Sequence, residues 1–237
     1  MPNLVVLTGA GISAESGIQT FRDSMGLWEQ HKVEDVATPD GFAKNPSLVH
    51  EFYNQRRRQV GMVEPNAAHY ALAKLEAAWT DGFLLITQNI DNLHERAGST
   101  NVSHIHGEIC KLRCVHCGER MITMEDSTPE SVCPSCYTIG SLRPDVVWFG
   151  EMPYHLDRIE KVLEMTDIFI SIGTSGNVMP ASLFPSVVLV NNRVQKDIIE
   201  INPVPTGDTA FTRVITKKAS EGVPELVDEL FSQYSLA

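Results

Sequence analysis

Positive charge is in short supply in this chain. Its 237 residues include 19 lysines and arginines against 30 aspartates and glutamates, a formal net charge of -11 at pH 7. Loose binding to nucleic acid or to an anionic membrane surface depends on basic patches, so this balance argues against both partners. A basic polypeptide is easier to accommodate. Long apolar runs are also missing: none approaches the ~18 residues of a membrane span. Met1-Pro2-Asn3 runs directly into an apolar stretch, without the basic and apolar segments of a secretion leader. A cytoplasmic protein is expected. Cysteine is scarce, and four of the five form two CxxC pairs, which in a reducing compartment suggests metal rather than disulfides. Linkers, repeats and low-complexity tracts are absent. What remains, 43% hydrophobic and 21% charged, is ordinary for a globular protein, with length for one sizeable core or a core and a smaller lobe.

The chain is organised around its first twenty residues. Leu4-Val5-Val6-Leu7 breaks at Thr8 into Gly9-Ala10-Gly11, with Ala14 three residues on. That reads as strand, tight turn and helix. Gly9 and Gly11 remove the Cβ atoms that would hold a backbone away from a pyrophosphate, and Ala14 allows the helix to pack close on the strand. Glycine turns after strands also occur without a ligand. Beyond the turn, Arg22 could reach a phosphate and Phe21 could cover a planar ring. Phe21 and Trp28 read equally as core aromatics, and Arg22 as a solvated cation.

Residues 39–45 and 46–60 read as two helices, the second opened by Pro46. Tyr53 and Arg56 share a face of it, ordinarily a surface contact beside the basic run Arg56-Arg57-Arg58. Residues 66–79 form a further helix, and Phe83 to Thr87 a buried strand ending in Gln88-Asn89-Ile90-Asp91, the position where parallel sheets bind ligands. A short helix is expected over 92–96. His104 and His106 lie on one face if that segment is extended, and such histidines are commonly structural. Cys114-x2-Cys117 and Cys133-x2-Cys136 bring four thiolates to one closed, structural zinc site; Cys110 is left without a role. Residues 144–150 read as a strand with exposed Trp148 and Phe149, and 154–165 as a helix. Asp167 to Ile172 is a strand ending in Gly173-Thr174-Ser175-Gly176-Asn177. Apolar runs follow at 187–190 and 198–201, the latter ending in Asn202. A last strand is expected at 211–215 and a last helix at 224–234. Alternating strands and helices predict an α/β, doubly wound parallel sheet, interrupted by a helical piece and the cysteine module.

Taken together, Gly9 to Ile18 with Thr20-Phe21-Arg22, then Gln88-Asn89-Ile90-Asp91, His106-Gly107, the four cysteines and Gly173-Thr174-Ser175 resemble, in order and over nearly the whole chain, the sirtuin family of NAD-dependent protein-lysine deacylases. Tyr53-x-x-Arg56 stands where one branch carries a pair that recognises acidic acyl groups. The chain is thus similar to the bacterial class III sirtuins, which remove succinyl and malonyl as well as acetyl groups. The resemblance implies a Rossmann-like core over about residues 1–26, 65–106 and 150–237, with a small lobe from a helical insertion, 27–64, and a zinc-binding one, 107–149, in a single sirtuin-type domain. It implies NAD contacts from Gly9, Ala10, Gly11, Ile12, Ser13, Ala14, Phe21, Arg22 and Trp28, and from Gln88, Asn89, Ile90 and Asp91 around the ribose and nicotinamide. Gly173, Thr174 and Ser175 would take the phosphate and adenosine side, with Asn202 and Ala219 at the adenosine. Asn89 and Asp91 would be catalytic, and His106 the general base.

The implied reaction consumes NAD. The amide oxygen of an acyl-lysine attacks C1′ as nicotinamide leaves, and water finally releases free lysine and O-acyl-ADP-ribose. Arg56, otherwise solvated by water, and Tyr53 would bind an acidic acyl group. Substrate proteins would add as extended peptide between Val147, Phe149 and Gly150 on one side and Gly176, Asn177 and Val178 on the other, to a monomeric enzyme. One region departs from the family pattern: residues 182–190 place Pro185 and a β-branched run where a helix rich in Ala, Glu and Gln is usual, and Pro203 follows Asn202. Competing readings are a zinc ribbon on nucleic acid, which the acidic balance opposes; a dehydrogenase, which would generate NADH rather than nicotinamide; and mono-ADP-ribosyl transfer to protein.

Overall fold

The computed structural model describes residues 1–19, 31–190 and 196–236, together with the backbone of Leu27 and Trp28. Phe21 and Arg22 lie outside the described residues, as does the side chain of Trp28. In chain order the elements are β1 (Leu4–Thr8), α1 (Ala10–Ala14), β2 (Leu27–Trp28), β3 (His31–Lys32), α2 (Val33–Val36), α3 (Pro39–Lys44), α4 (Pro46–Met62), α5 (Ala67–Ala78), β4 (Phe83–Thr87), α6 (Leu93–Arg96), β5 (Val102–His104), β6 (Gly107–Cys114), β7 (Arg120–Ile122), β8 (Leu142–Val146), α7 (Leu156–Glu164), β9 (Ile168–Ile172), α8 (Phe184–Val190), β10 (Asp197–Ile201), β11 (Arg213–Ile215) and α9 (Ala219–Tyr234).

Six of the strands form one parallel sheet in the order β11-β10-β9-β1-β4-β5. The α/β doubly wound sheet expected from the alternating pattern is therefore present. β1, β4 and β9 are buried along their whole length, as strands covered on both faces must be. Alternate residues feed opposite layers. Leu4 and Val6 pack with Leu72 and Leu75 of α5 and Val223, Leu226 and Leu230 of α9. Val5 and Leu7 pack with Ile159 and Leu163 of α7 and Phe184 and Val188 of α8. Each fully buried aliphatic side chain contributes roughly 1.5–3 kcal/mol relative to exposure, so these two layers hold the sheet. The chain leaves β1 toward β4 and β5, then returns to β9 on the other side of β1. The carboxyl ends of β1 and β9 thus flank the point where the winding reverses, which is where open α/β sheets leave a crevice.

Across that crevice stand α4 and the antiparallel sheet β7-β6-β8. α4 opens with Pro46 behind Asn45, whose Oδ1 accepts the Leu48 N–H at 3.1 Å. Its Phe52 and Tyr53 pack with Ile109, Val146 and Trp148. The basic run on this helix is not a surface feature: Arg56 is 6% exposed and Arg57 fully buried. Positions 53, 56, 57 and 60 share the inward face of a helix, and only Arg58 points out. Arg57 survives burial by donating Nε to Ile109 O at 2.9 Å and Nη1 to Asn54 Oδ1 at 2.8 Å.

Other expectations need correction. Residues 187–190, read as an apolar run departing from the usual helix, lie in helix α8; Pro185 sits in its first turn, where no N–H is needed, and Phe184 and Val188, four apart, face the sheet. β8 ends at Val146 rather than Gly150, and Trp148 is 2% exposed while Phe149 is 53% exposed. α9 starts at Ala219 and holds Pro224 inside it. Among the described residues no helix is long and apolar enough to cross a membrane.

Candidate active site

The crevice begins with a contact between two backbones. Gly11 N donates to Gly173 O at 2.9 Å and Gly9 N to Ile172 O at 3.0 Å. A Cβ on Gly11 would lie 2.6 Å from Gly173 Cα, and Gly173 adopts φ +61°. The loops after β1 and β9 therefore meet as closely as main chain allows, and glycine is required on both. Ala14 does not supply close packing as expected: it is exposed at the end of α1, because α1 is only five residues long and turns away at once. Ile12 is in the core.

Polar groups converge on this turn from the end of β4. Ser13 Oγ donates to Asp91 Oδ2 at 2.9 Å, and Asn89 Nδ2 donates to Ser13 Oγ at 3.0 Å and Gly9 O at 3.1 Å. Burial raises the pKa of Asp91, opposed by the hydrogen bonds from Leu93 N and Ser13. Beneath them, Thr8 Oγ1 donates to Thr87 Oγ1 at 2.9 Å, and Thr87 Oγ1 accepts the Asn89 N–H at 3.0 Å. Thr8 Oγ1 in turn lies 3.0 Å from Nε2 of His94, a histidine that burial keeps neutral.

The two histidines separate into different roles. His104 Nδ1 is 3.0 Å from Asn89 O and its Nε2 is 2.7 Å from Glu95 Oε1; burial lowers its pKa, but the Glu95 carboxylate outweighs that and raises it overall. Among the described residues His106 has no carboxylate partner. Its Nδ1 is 3.0 Å from Gln88 O, and burial lowers its pKa against the opposing pull of that carbonyl. A carbonyl can only accept, so Nδ1 carries the proton and Nε2 keeps a lone pair. Gly107, at φ +79°, lets the chain turn here: a Cβ would meet Asp145 O at 2.1 Å.

The crevice holds a cavity of about 320 Å³. Of the residues singled out from sequence, Gly9, Ala10, Gly11, Ser13, Gln88, Asn89, Ile90, Asp91, His106, Gly173, Thr174, Ser175, Tyr53, Val147, Phe149, Gly150 and Val178 line it. Several do not. Arg56 is stacked on Phe52, its guanidinium carbon 3.2 Å from the ring centroid, and Nη1 donates to Phe52 O; it is not the solvated cation expected. Asn202 is buried behind the wall, where its Nδ2 donates to Thr174 O at 2.7 Å. Ala219 packs in the core, Asn177 is exposed, and Gly176 borders a separate small depression. Trp148, expected to be exposed within the 144–150 strand, also lines the cavity, and so does Glu151, which nothing local in the sequence singles out.

The four paired cysteines gather apart from the cavity. Cys114 Sγ is 3.7 Å from Cys136 Sγ, Cys117 Sγ is 3.7 Å from Cys133 Sγ, and all four sulfurs lie within 4.8 Å of one another. A tetrahedral zinc with bonds of about 2.3 Å has sulfurs about 3.8 Å apart, so the group fits. Cys110 is not part of the cluster.

A model of the Sir2 family matches residues 9–180, from the first glycine of the cradle through His106 and all four clustered cysteines. The chain belongs to the Sir2 family. The match ends before Asn202 and Ala219. An Escherichia coli K12 protein named NAD-dependent protein deacylase is 53% identical over 97% of this sirtuin and 82% of its own length. A Bdellovibrio bacteriovorus protein of the same name is 49% identical over 96% of both chains. Among solved structures, a Sir2 homologue mutant in complex with ADP-ribose superposes with a TM-score of 0.89 at 42% identity, covering 99% of this sirtuin and 94% of that chain.

Proposed function

We propose that this sirtuin is an NAD-dependent protein-lysine deacylase that accepts succinyl and malonyl as well as acetyl groups. The observation that carries the reading is one cavity holding both the Gly9, Gly11 and Gly173 cradle and a neutral His106 with its Nε2 unprotonated. NAD supplies the carbon from which nicotinamide departs and the ADP-ribose on which the acyl group finishes. Everything else falls to the protein. The cradle holds phosphate by main-chain approach, with Thr174 and Ser175 beside it. Ser13, Asn89 and Asp91, tied to one another, form a stiff corner for the ribose and carboxamide, and positioning of this kind supplies much of a rate. His106 takes up a proton at Nε2 as general base. The four thiols hold zinc away from the chemistry, stapling β6 to the loop before β8.

Peptide substrate lies extended between residues 147–150 and 176–178, held mainly by backbone bonds, so sequence selectivity is low. Tyr53, in the cavity wall, and Arg56, one turn further along α4, select an acidic acyl end. A hydrogen bond to a charged group is worth roughly 1.5–3 kcal/mol, a preference of about ten- to a hundredfold. The remaining parts of the reading are a core over residues 1–26, 65–106 and 150–237, a small lobe over 27–64 and 107–149, a cytoplasmic location and a monomer. The test is a matched pair of acetyl-lysine and succinyl-lysine peptides with NAD, products read by mass, for the parent, His106→Tyr and Arg56→Met. Loss of both activities in His106→Tyr, with a fall in the succinyl-to-acetyl ratio in Arg56→Met, supports it. ADP-ribose attached to protein instead of a freed lysine would replace it with the transferase reading.

A further inference from the structure

Trp148 lies buried in the cavity wall between the proposed peptide-binding residues, and two contacts clamp it. Its backbone N–H donates to Glu151 Oε2 at 2.8 Å. The Arg143 guanidinium carbon sits 3.3 Å from its ring centroid. That same arginine grips Glu151 with two bonds, Nη1 to Oε1 at 2.7 Å and Nη2 to Oε2 at 2.9 Å, and Nη2 donates also to Val146 O at 2.8 Å. Bidentate, charge-assisted bonds are the strong and directional kind, so the indole is held in one orientation.

What the clamp aims is the indole N–H, which donates to Tyr53 Oη at 2.9 Å. An indole nitrogen can only donate. The phenol oxygen is therefore the acceptor in this bond, and its own proton is directed to a different acceptor. Receiving a hydrogen bond also polarises the O–H and makes it a better donor.

We infer that Trp148 is a specificity-determining positioning residue: by committing Tyr53 to the role of donor at the acyl end of the cavity, it raises selection for acyl groups that end in a carboxylate. The inference rests on the acyl-lysine reading above. An acetyl group has no second acceptor beyond its amide oxygen, whereas succinyl and malonyl groups bring a carboxylate to the phenol. Phenylalanine at this position would keep an aromatic ring for Arg143 to stack on but would lack the N–H, so the phenol could turn.

The experiment compares kcat/KM on succinyl-lysine and acetyl-lysine peptides of one sequence, at saturating NAD, for the parent, Trp148→Phe, Tyr53→Phe and the double variant. Taking the ratio within one enzyme preparation removes any difference in the folded fraction. Trp148→Phe should lower the succinyl-to-acetyl ratio roughly three- to tenfold, the worth of one net hydrogen bond, chiefly through the KM of the succinyl peptide. The double variant should be no worse than Tyr53→Phe. If Trp148→Phe changes both peptides alike, or if the two factors multiply in the double variant, the inference is overturned. Glu151→Gln, which loosens the clamp and keeps its shape, should lower the ratio about two- to threefold, a fraction of one such bond; an unchanged ratio counts against the inference even where Trp148→Phe does not fold. Should the parent deacylate neither peptide, the parent reading falls as well, whereas a succinyl preference that survives Trp148→Phe removes this inference alone.

Discussion

Gly11→Ala puts a methyl group into the main-chain contact between the ends of β1 and β9. The added Cβ would lie 2.6 Å from Gly173 Cα and 2.8 Å from Gly173 O, while carbon contacts become comfortable at about 3.5 Å. Two backbones would have to part by roughly 0.7–0.9 Å to restore that spacing. Neither can swing aside, since Gly11 N is bonded to Gly173 O and Gly173 N to Ile201 O at 3.0 Å. Overpacking of this kind costs roughly 1–3 kcal/mol, and for a chain of this size each kcal/mol lowers Tm by about 2–4 °C. A fall of about 2–12 °C is expected. The displaced atoms also line the cavity, so NAD binding should weaken by roughly five- to a hundredfold if a similar energy is lost again in the bound state. Ala14→Ser, at an exposed position, should stay within about 2 °C of the parent. Calorimetric melts and titration with NAD measure both. Parent-like Tm and NAD affinity in Gly11→Ala, or equal damage from Ala14→Ser, would refute the reasoning and return the close contact to the position a sequence fingerprint assigns it.

Two further outcomes follow from the geometry. As the proposed general base His106 must be deprotonated to act, and burial lowers its pKa below the usual 6.5; on that proposal activity is lost as pH falls through a value under 6.5, and the acid limb of kcat/KM should have its midpoint there. It should keep that midpoint in His104→Gln, and His106→Gln should lower kcat at least about a hundredfold; a midpoint at pH 7 or above contradicts the assignment. Cys117→Ser removes one of four zinc ligands, from a site worth about 10–16 kcal/mol in small zinc modules. Native mass spectrometry should show the bound zinc lost and limited proteolysis should cut first within 107–149, while Cys110→Ser keeps its zinc; full zinc retention in Cys117→Ser would rule out the closed four-thiol site.

The legible part of this molecule was local. The apolar runs of β1, β4 and β9, the turn chemistry of Gly9-Ala10-Gly11, the capped start of α4 and the two CxxC pairs each announce themselves within a window of about ten residues. So do the polar groups at the strand ends. The misreadings share one feature. Trp148 looks like an exposed residue of a strand, and Glu151 carries no local signal, until Arg143 and α4 are placed against them. Arg56 and Arg57 look like surface charge until Arg57 is seen to reach Ile109 of β6 and Arg56 to stack on Phe52. The 182–190 segment, with Pro185 and its β-branched run, departs from a helical pattern until Phe184 and Val188 are seen to bind the sheet on one helical face.

Residue types and short spacings by themselves determined a parallel α/β sheet, a four-thiol metal site and a set of candidate groups at the ends of β1, β4 and β9, because strand period, glycine turns and ligand pairs are short-range physics. Only the tertiary structure decided which of those groups meet. Gly11 touches Gly173 because the winding reverses at β1. His104 is tied to Glu95 while His106 keeps an unprotonated nitrogen in the cavity, and Trp148 aims at a phenol carried by α4. Contacts between residues that are far apart along the chain depend on strand order and on which face of a helix is buried, and neither is written in the residues on one side of the contact alone.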